Sequence, residues 1–206
     1  MSAGPSVLQD ASWQDRCFID IRDEAGNVYS FAGLTNELDL PDISKDFSAE
    51  PVMNGGHVRE NDAQEPAEVG LTLYPIGSEA GDGTSRPDGI AEFFYKGETG
   101  DSGTGEATQY TSTLSREDFD IAVLWTNTSL SGTAFDSVSG EADERARREV
   151  YLNAQLTGFN PDFGDQILTV EATFKSAAYD ETGSSNQFVD ASADLSTTGL
   201  ASVTSS

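Results

Sequence analysis

The only histidine of the chain, His57, and the only cysteine, Cys17, lie in separate segments. Catalysis through a serine or cysteine nucleophile needs a base that is itself held by a third group. His57 follows the Asn54-Gly55-Gly56 turn in a polar stretch with no such signature, so it reads as a surface or interface histidine. Cys17 alternates with Ile19 and Ile21 and reads as a small buried hydrophobe. One cysteine allows no internal disulfide and gives no zinc spacing. Carboxylates are abundant, with 36 Asp and Glu against 11 Lys and Arg. Glycosidase-like pairs therefore arise by chance, and periodicity singles none out. Gly81-Asp82-Gly83 and Gly100-Asp101-Ser102-Gly103 look superficially like calcium loops, but neither has the D-x-[DN]-x-[DN]-G pattern with a distal Glu. No phosphate-cradling glycine motif occurs. Asn127-Thr128-Ser129 satisfies the N-glycosylation sequon. The expectation is a protein that is not an enzyme and takes no cofactor or metal.

The same carboxylates give a formal net charge of −25 at pH 7. Such a chain repels itself strongly unless salt screens it, and the Debye length falls to about 3 Å at 1 M salt. The composition reads as adaptation to molar salt, as in a haloarchaeon or one of its viruses. The basic cluster Arg145, Arg147 and Arg148 is surrounded by Asp143, Glu144 and Glu149. A protein that grips DNA is therefore not expected, since that requires a basic face; one that lets DNA slide past is compatible. Residues 1–15 lack the basic start and apolar run of a signal peptide. No stretch approaches the roughly 20 apolar residues that span a bilayer. A soluble, cytoplasmically made protein without a membrane partner is expected.

The elements that must carry any surface are mostly of period two. Cys17, Ile19 and Ile21 alternate with Phe18, Asp20 and Arg22 up to the Asp23–Asn27 turn, and Val28 to Phe31 returns. Val69, Leu71 and Leu73 form another run, and Phe119, Ile121, Val123 and Trp125 one more. From Glu149 to Thr157, Val150, Leu152, Ala154 and Leu156 oppose Glu149, Tyr151, Asn153, Gln155 and Thr157. A turn at Asn160–Asp165 leads into Leu168, Val170, Ala172 and Phe174, which predicts a long antiparallel hairpin. Ile90, Phe93 and Phe94 predict one short helix over about 88–96, capped by Asp88 and stopped by Gly97. Residues 41–66 read as a long polar loop. From Asp180 onward the composition predicts a tail that is mobile in isolation. The fold class is thus mostly β: an antiparallel β-sandwich or small barrel with one short flanking α-helix, long loops and an extended C-terminal arm. The parts are an N-terminal arm over 1–15, a β domain over 16–180, and the arm over 181–206, flexible unless assembled.

In layout and phrasing the chain resembles a major tail tube protein of a tailed virus, of the haloarchaeal siphovirus kind. The resemblance rests on Phe18-Ile19-Asp20-Ile21-Arg22-Asp23 with Tyr29-Ser30-Phe31, on Asp39-Leu40-Pro41-Asp42-Ile43-Ser44-Lys45-Asp46-Phe47, and on Pro51-Val52-Met53-Asn54-Gly55-Gly56. It continues through Glu68–Pro75, the helix at Phe93-Phe94 and the closing hairpin Arg148–Phe174. It implies a structural virion protein: six copies close into a ring around a lumen, rings stack into a tube, and viral DNA passes without specific binding. Partners implied are further copies of the chain and tape-measure, tail-terminator and baseplate proteins. The implied location is the virion tail, assembled in the host cytoplasm. Candidate ring-stacking contacts are Asp42, Phe47, Met53, Asn54, His57 and Phe188. The polar face Glu149, Tyr151, Asn153, Gln155 and Thr157 is a candidate lumen or ring-interface face. The alternatives are another virion β-protein, such as a terminator, decoration or baseplate subunit, and a halophilic carbohydrate- or cell-surface-binding β-sandwich. The binding module needs an exposed aromatic platform, whereas Trp125 reads as core.

Overall fold

A computed structural model describes residues 16–24, 26, 28–30, 35–41, 47–51, 57–61, 64–73, 95–97, 110–114, 117–164 and 167–204. Twelve strands follow one another: β1 (Arg16–Arg22), β2 (Val28–Ser30), β3 (Thr35–Asp39), β4 (Phe47–Pro51), β5 (His57–Asn61), β6 (Ala67–Leu73), β7 (Tyr95–Gly97), β8 (Tyr110–Leu114), β9 (Asp118–Thr126), β10 (Ala146–Gly164), β11 (Ile167–Ser176) and β12 (Gln187–Ser192). The main sheet runs β2-β1-β9-β10-β11-β6-β3, with β12 also on β10, and every pair in it is antiparallel. The mostly β, antiparallel fold expected from the sequence is what forms.

β10 organises the sheet. Over its first half it pairs β9 on one edge and β12 on the other; from Ala154 onward β11 takes the place of β12. The sheet has two apolar faces. Ile19, Ile21, Val69, Leu71, Phe119, Ile121, Tyr151, Leu156 and Phe174 fill one, with Phe119 and Phe174 meeting edge to face at 5.8 Å. On the reverse of β9 and β10, Ala122, Leu124, Val150 and Leu152 pack under Phe135 and Val138 of the 127–145 connection and under Leu195, Leu200 and Val203. β9 is thus buried on both sides, and its alternation shows only half of its burial.

Several expectations change. No helix occurs among the described residues; Tyr95–Gly97 is a strand paired with β8, and the rest of the expected helix lies outside the described residues. The two calcium-like loops also lie outside them. Part of the 41–66 loop is a hairpin, with Phe47–Pro51 paired to His57–Asn61. The turn formers Asn160–Gly164 continue β10, paired in register with β11 as far as Gly164↔Ile167. Pro161 is tolerated there because β9 ends opposite Gln155, leaving that edge of β10 without a described ladder. Cys17 is exposed, since it stands at the end of β1 and core filling begins at Ile19.

The segment after Asp180, expected to be a mobile arm, is packed in the single chain. Leu195, Leu200 and Val203 enter the second core, while Phe188 and Val189 on β12 stay exposed. Val138 and Leu200 exchange both backbone hydrogen bonds, at 3.0 and 2.9 Å, and Val203 N–H donates to Phe135 O at 2.7 Å. Two buried arginines complete the attachment. Arg148 donates to Ala134 O, Asp136 O, Ala201 O and both oxygens of Asp190. Arg22 donates to Asp120 and to Val203 O, with its guanidinium 4.4 Å from the Phe135 ring centroid. Buried charge persists only when paired and hydrogen-bonded, and both arginines are. A Cβ on Gly199 would stand 2.6 Å from Val138 O, so only glycine permits this approach.

Candidate assembly surface

Two irregularities in β10 decide which residues can share a surface. Tyr151 pairs Ile121, yet Ala154 pairs Phe119, so β10 holds one extra residue there. Asn153 absorbs it with φ of 50°, a left-handed conformation that Asn accepts better than most residues. The freed backbone groups are satisfied: Asn153 N–H donates to Asp120 Oδ1 at 3.1 Å, Leu152 N–H to Asn186 O at 2.7 Å, and Ser176 Oγ to Leu152 O at 2.7 Å. A second register shift lies between Leu156 and Gly158, where Thr157 Oγ1 donates to Thr173 O at 3.2 Å.

A one-residue bulge exchanges the two faces of a strand. The polar series Glu149, Tyr151, Asn153, Gln155 and Thr157 is therefore not one face. Glu149 and Tyr151 are buried on the side of the main core. There Tyr151 O–H donates to Glu149 Oε2 at 2.9 Å, and Arg147 Nη2 lies 2.6 Å from Glu149 Oε1. Burial and the neighbouring Glu149 carboxylate push the Tyr151 phenol far above its ordinary range. Asn153 sits in the bulge, while Gln155 and Thr157 are exposed. Of the six stacking candidates, Phe188 is 37% exposed on β12. Phe47 opens β4 and His57 opens β5. Asp42, Met53 and Asn54 lie outside the described residues.

What the register does assemble is a polar, accessible face across β10, β11, β6 and β3. One row is Asp118–Gln155–Lys175–Glu68. It is tied by Gln155 Nε2 to Asp118 Oδ1 at 3.2 Å and by Lys175 Nζ to Glu68 Oε2 at 2.9 Å. The next is Gly158–Thr173–Gly70–Asp39, and the third is Asn160–Glu171–Thr72–Glu37. Glu37, Asp39, Glu68, Asp118, Glu171 and Asp162 are all exposed, and Lys175 is the cation among them. The outer edge of β3 and the edge of β10 beyond Gln155 bound this face, and neither has a ladder partner among the described residues. Pair assignment hid the face from sequence reading: Thr169, Glu171, Thr173 and Lys175 were legible as one side of a strand, but their partners on β6 and β3 are not adjacent in the chain.

Among the described residues, no group of three or more His, Cys, Asp or Glu side chains is placed to hold a metal ion. No helix among them is long and apolar enough to cross a membrane. The sequon residue Asn127 is engaged locally: its Oδ1 accepts Arg145 N–H at 2.7 Å.

No protein-family model matches the chain, and neither does any curated protein sequence. Solved structures do. A chain of the sheath–tube complex of an extracellular contractile injection system (PVC), in the extended state, superimposes with a TM-score of 0.51 at 14% identity; the match covers 93% of this chain and 100% of that one. The sheath/tube terminator of that system gives a TM-score of 0.47 at 14% identity over 85% and 94% of the two chains. The tube-terminating cap of the anti-feeding prophage gives 0.47 at 10% identity over 86% and 89%. The class defined here is a fold class, the antiparallel β fold of the tail-tube kind. At these identities the likeness speaks to fold, and function has to be argued from the accessible face.

Proposed function

We propose that this chain is the structural subunit of a viral tail tube, working at molar salt in a haloarchaeal siphovirus-like virion. The observation that carries the reading is the carboxylate-rich face across β10, β11, β6 and β3, left accessible between two strand edges that have no ladder partner among the described residues. Unpaired edges are templates for another chain, and natural proteins cover or close them. The four strands alternate in direction, so when copies are related by rotation, β3 of one meets β10 of the next antiparallel. Closure into a hexameric ring removes both edges and makes the acidic face continuous around a lumen. Phosphate is repelled there, and viral DNA slides through. Rings stack with the candidate residues of the 42–57 segment and Phe188 near their contacts. Tape-measure, terminator and baseplate proteins complete the tail, which assembles in the host cytoplasm.

The test is negative-stain electron microscopy of purified protein in about 2–3 M salt, where the charge is screened. Stacked rings or tubes with a central channel are expected. A protein that stays monomeric at every salt concentration overturns the reading.

A further inference from the structure

The ends of β10 carry opposite charge, and they lie at opposite ends of the sheet. Near its start, Cys17, Trp125, Arg147 and Ala191 form one cross-strand row, followed by Ile19, Val123, Glu149 and Val189. The second row closes the main core with Ile19, Val123 and Glu149 buried. The first row is left accessible: Cys17 and Ala191 are exposed and Trp125 is half-buried. The Arg147 side chain is 48% exposed although it touches Glu149. Val189, at the rim, is 53% exposed and one of three exposed large hydrophobics among the described residues. This is an apolar patch with a guanidinium at its centre, on a chain of net charge −25. Near the other end of β10, Asp162 is exposed opposite Thr169, and Glu171 and Glu37 stand in the adjacent row. Arg147 and Asp162 stand fifteen positions apart along β10, about 50 Å at 3.3 Å per residue.

We propose that the Arg147 end of β10 is the stacking surface, and that its occupant is the Asp162 end of β10 in a second copy of the chain. This rests on the tube reading above and names its axial contact. Strands that line a channel present their edges to neighbours in the ring and their ends to the next ring. A head-to-tail contact between two different patches repeats without limit, which a tube requires. Arg147 meets the carboxylate of Asp162, while Trp125, Val189 and Ala191 supply the apolar area. Charge complementarity selects this occupant: a surface this acidic repels most approaches of another copy, and the Arg147 guanidinium, still half exposed beside its Glu149 contact, accepts one.

The test is charge exchange in the full chain, scored by electron microscopy and sedimentation. Arg147→Glu and Asp162→Arg are each expected to abolish tubes while leaving rings. The double variant is expected to restore tubes, and rescue can act only between copies because the two residues are so far apart in one chain. Val189→Asp, which leaves the Arg147–Glu149 contact in place, is expected to give rings without tubes. In wild-type tubes the natural Cys17 is expected to lose reactivity toward a maleimide that labels it in free rings. Tubes that persist in both single variants, or a Cys17 equally reactive in rings and tubes, overturn the stacking surface and leave the tube reading standing. Wild-type protein that forms no rings overturns both.

Discussion

Arg148 and Asp190 meet through both prongs of the guanidinium: Nε donates to Oδ1 at 3.1 Å and Nη2 to Oδ2 at 2.6 Å, with the Arg148 side chain 1% exposed. All five of its N–H groups are occupied once the carbonyls of Ala134, Asp136 and Ala201 are included. One residue therefore joins β10, β12, the 133–136 turn and the C-terminal segment. Replacing it by Met leaves three carbonyls and a carboxylate without their donor. Breaking a buried pair costs about 3–5 kcal/mol. Arg148→Met is expected to lower the urea midpoint by a corresponding amount at fixed high salt, and to open residues 193–204 to protease before the sheet unfolds. A variant whose C-terminal segment stays resistant would show that Leu195, Leu200 and Val203 hold it unaided.

Asp120 serves two partners at once: Oδ2 takes Arg22 at 2.6 Å, and Oδ1 takes the Asn153 backbone N–H in the bulge. Asp120→Ala leaves a buried guanidinium unpaired and the bulge donor unsatisfied. A loss of about 3–5 kcal/mol is expected from the broken pair. At Asn153 itself, with φ of 50°, Asn153→Gly is expected to be nearly neutral. Asn153→Val is expected to cost about 1–2 kcal/mol, because a left-handed residue brings Cβ against the following carbonyl. Equal urea midpoints for the Gly and Val variants would contradict the bulge geometry.

Burial raises the pKa of Asp20 above the ordinary carboxylate value; the Ala134 backbone N–H and the Ser30 hydroxyl pull it back, and the nearby Asp136 carboxylate adds to the rise. A raised pKa means that the folded state holds the proton more tightly than the unfolded chain. Asp20 therefore favours folding below its unfolded pKa of about 4, and this contribution is lost as pH rises through its folded value. Asp20→Asn keeps an oxygen to accept the Ala134 N–H and removes the charge. Relative to wild type, the variant is expected to gain stability as pH rises from the acid range toward neutrality. A pH-independent difference between their melting temperatures would remove Asp20 as the source.

Much of the fold was legible in runs such as Val69–Leu71, where one covered face imposes period two, and in Ile19–Ile21 and Phe119–Trp125, where the alternation marks the side that meets the main core. What stayed hidden has definite physical causes. A bulge is one extra residue, and nothing but the tolerance of Asn153 for positive φ hints at it; yet it moves Glu149 and Tyr151 to the interior and breaks the expected lumen series. Arg148 sits in an Arg- and Glu-rich stretch that reads as solvated surface, and its burial depends on Asp190 and Ala201, more than forty residues away. The C-terminal segment is poor in apolar residues, so composition predicts mobility, but Leu195, Leu200 and Val203 all join one core. The accessible face joins β10 and β11 to β6 and β3, and such long-range pairing leaves no local trace.

Salt is the remaining lever. The net charge of −25 is spread over a surface whose described cations are largely engaged: Arg22 with Asp120, Arg147 with Glu149, Arg148 with Asp190 and Lys175 with Glu68. Unbalanced carboxylates such as Glu37, Asp39 and Glu171 remain on the open face. Their mutual repulsion destabilises the compact chain and weakens as the Debye length falls from about 10 Å at 0.1 M to about 3 Å at 1 M. The melting temperature is expected to rise steeply over that range with KCl. Substituting Glu37, Asp39 and Glu171 together by Gln or Asn is expected to flatten the rise. The two buried pairs are screened much less than exposed charges, so Arg148→Met is expected to lower the curve without changing its slope. A wild-type melting temperature independent of salt would refute the argument that screening makes this composition tolerable.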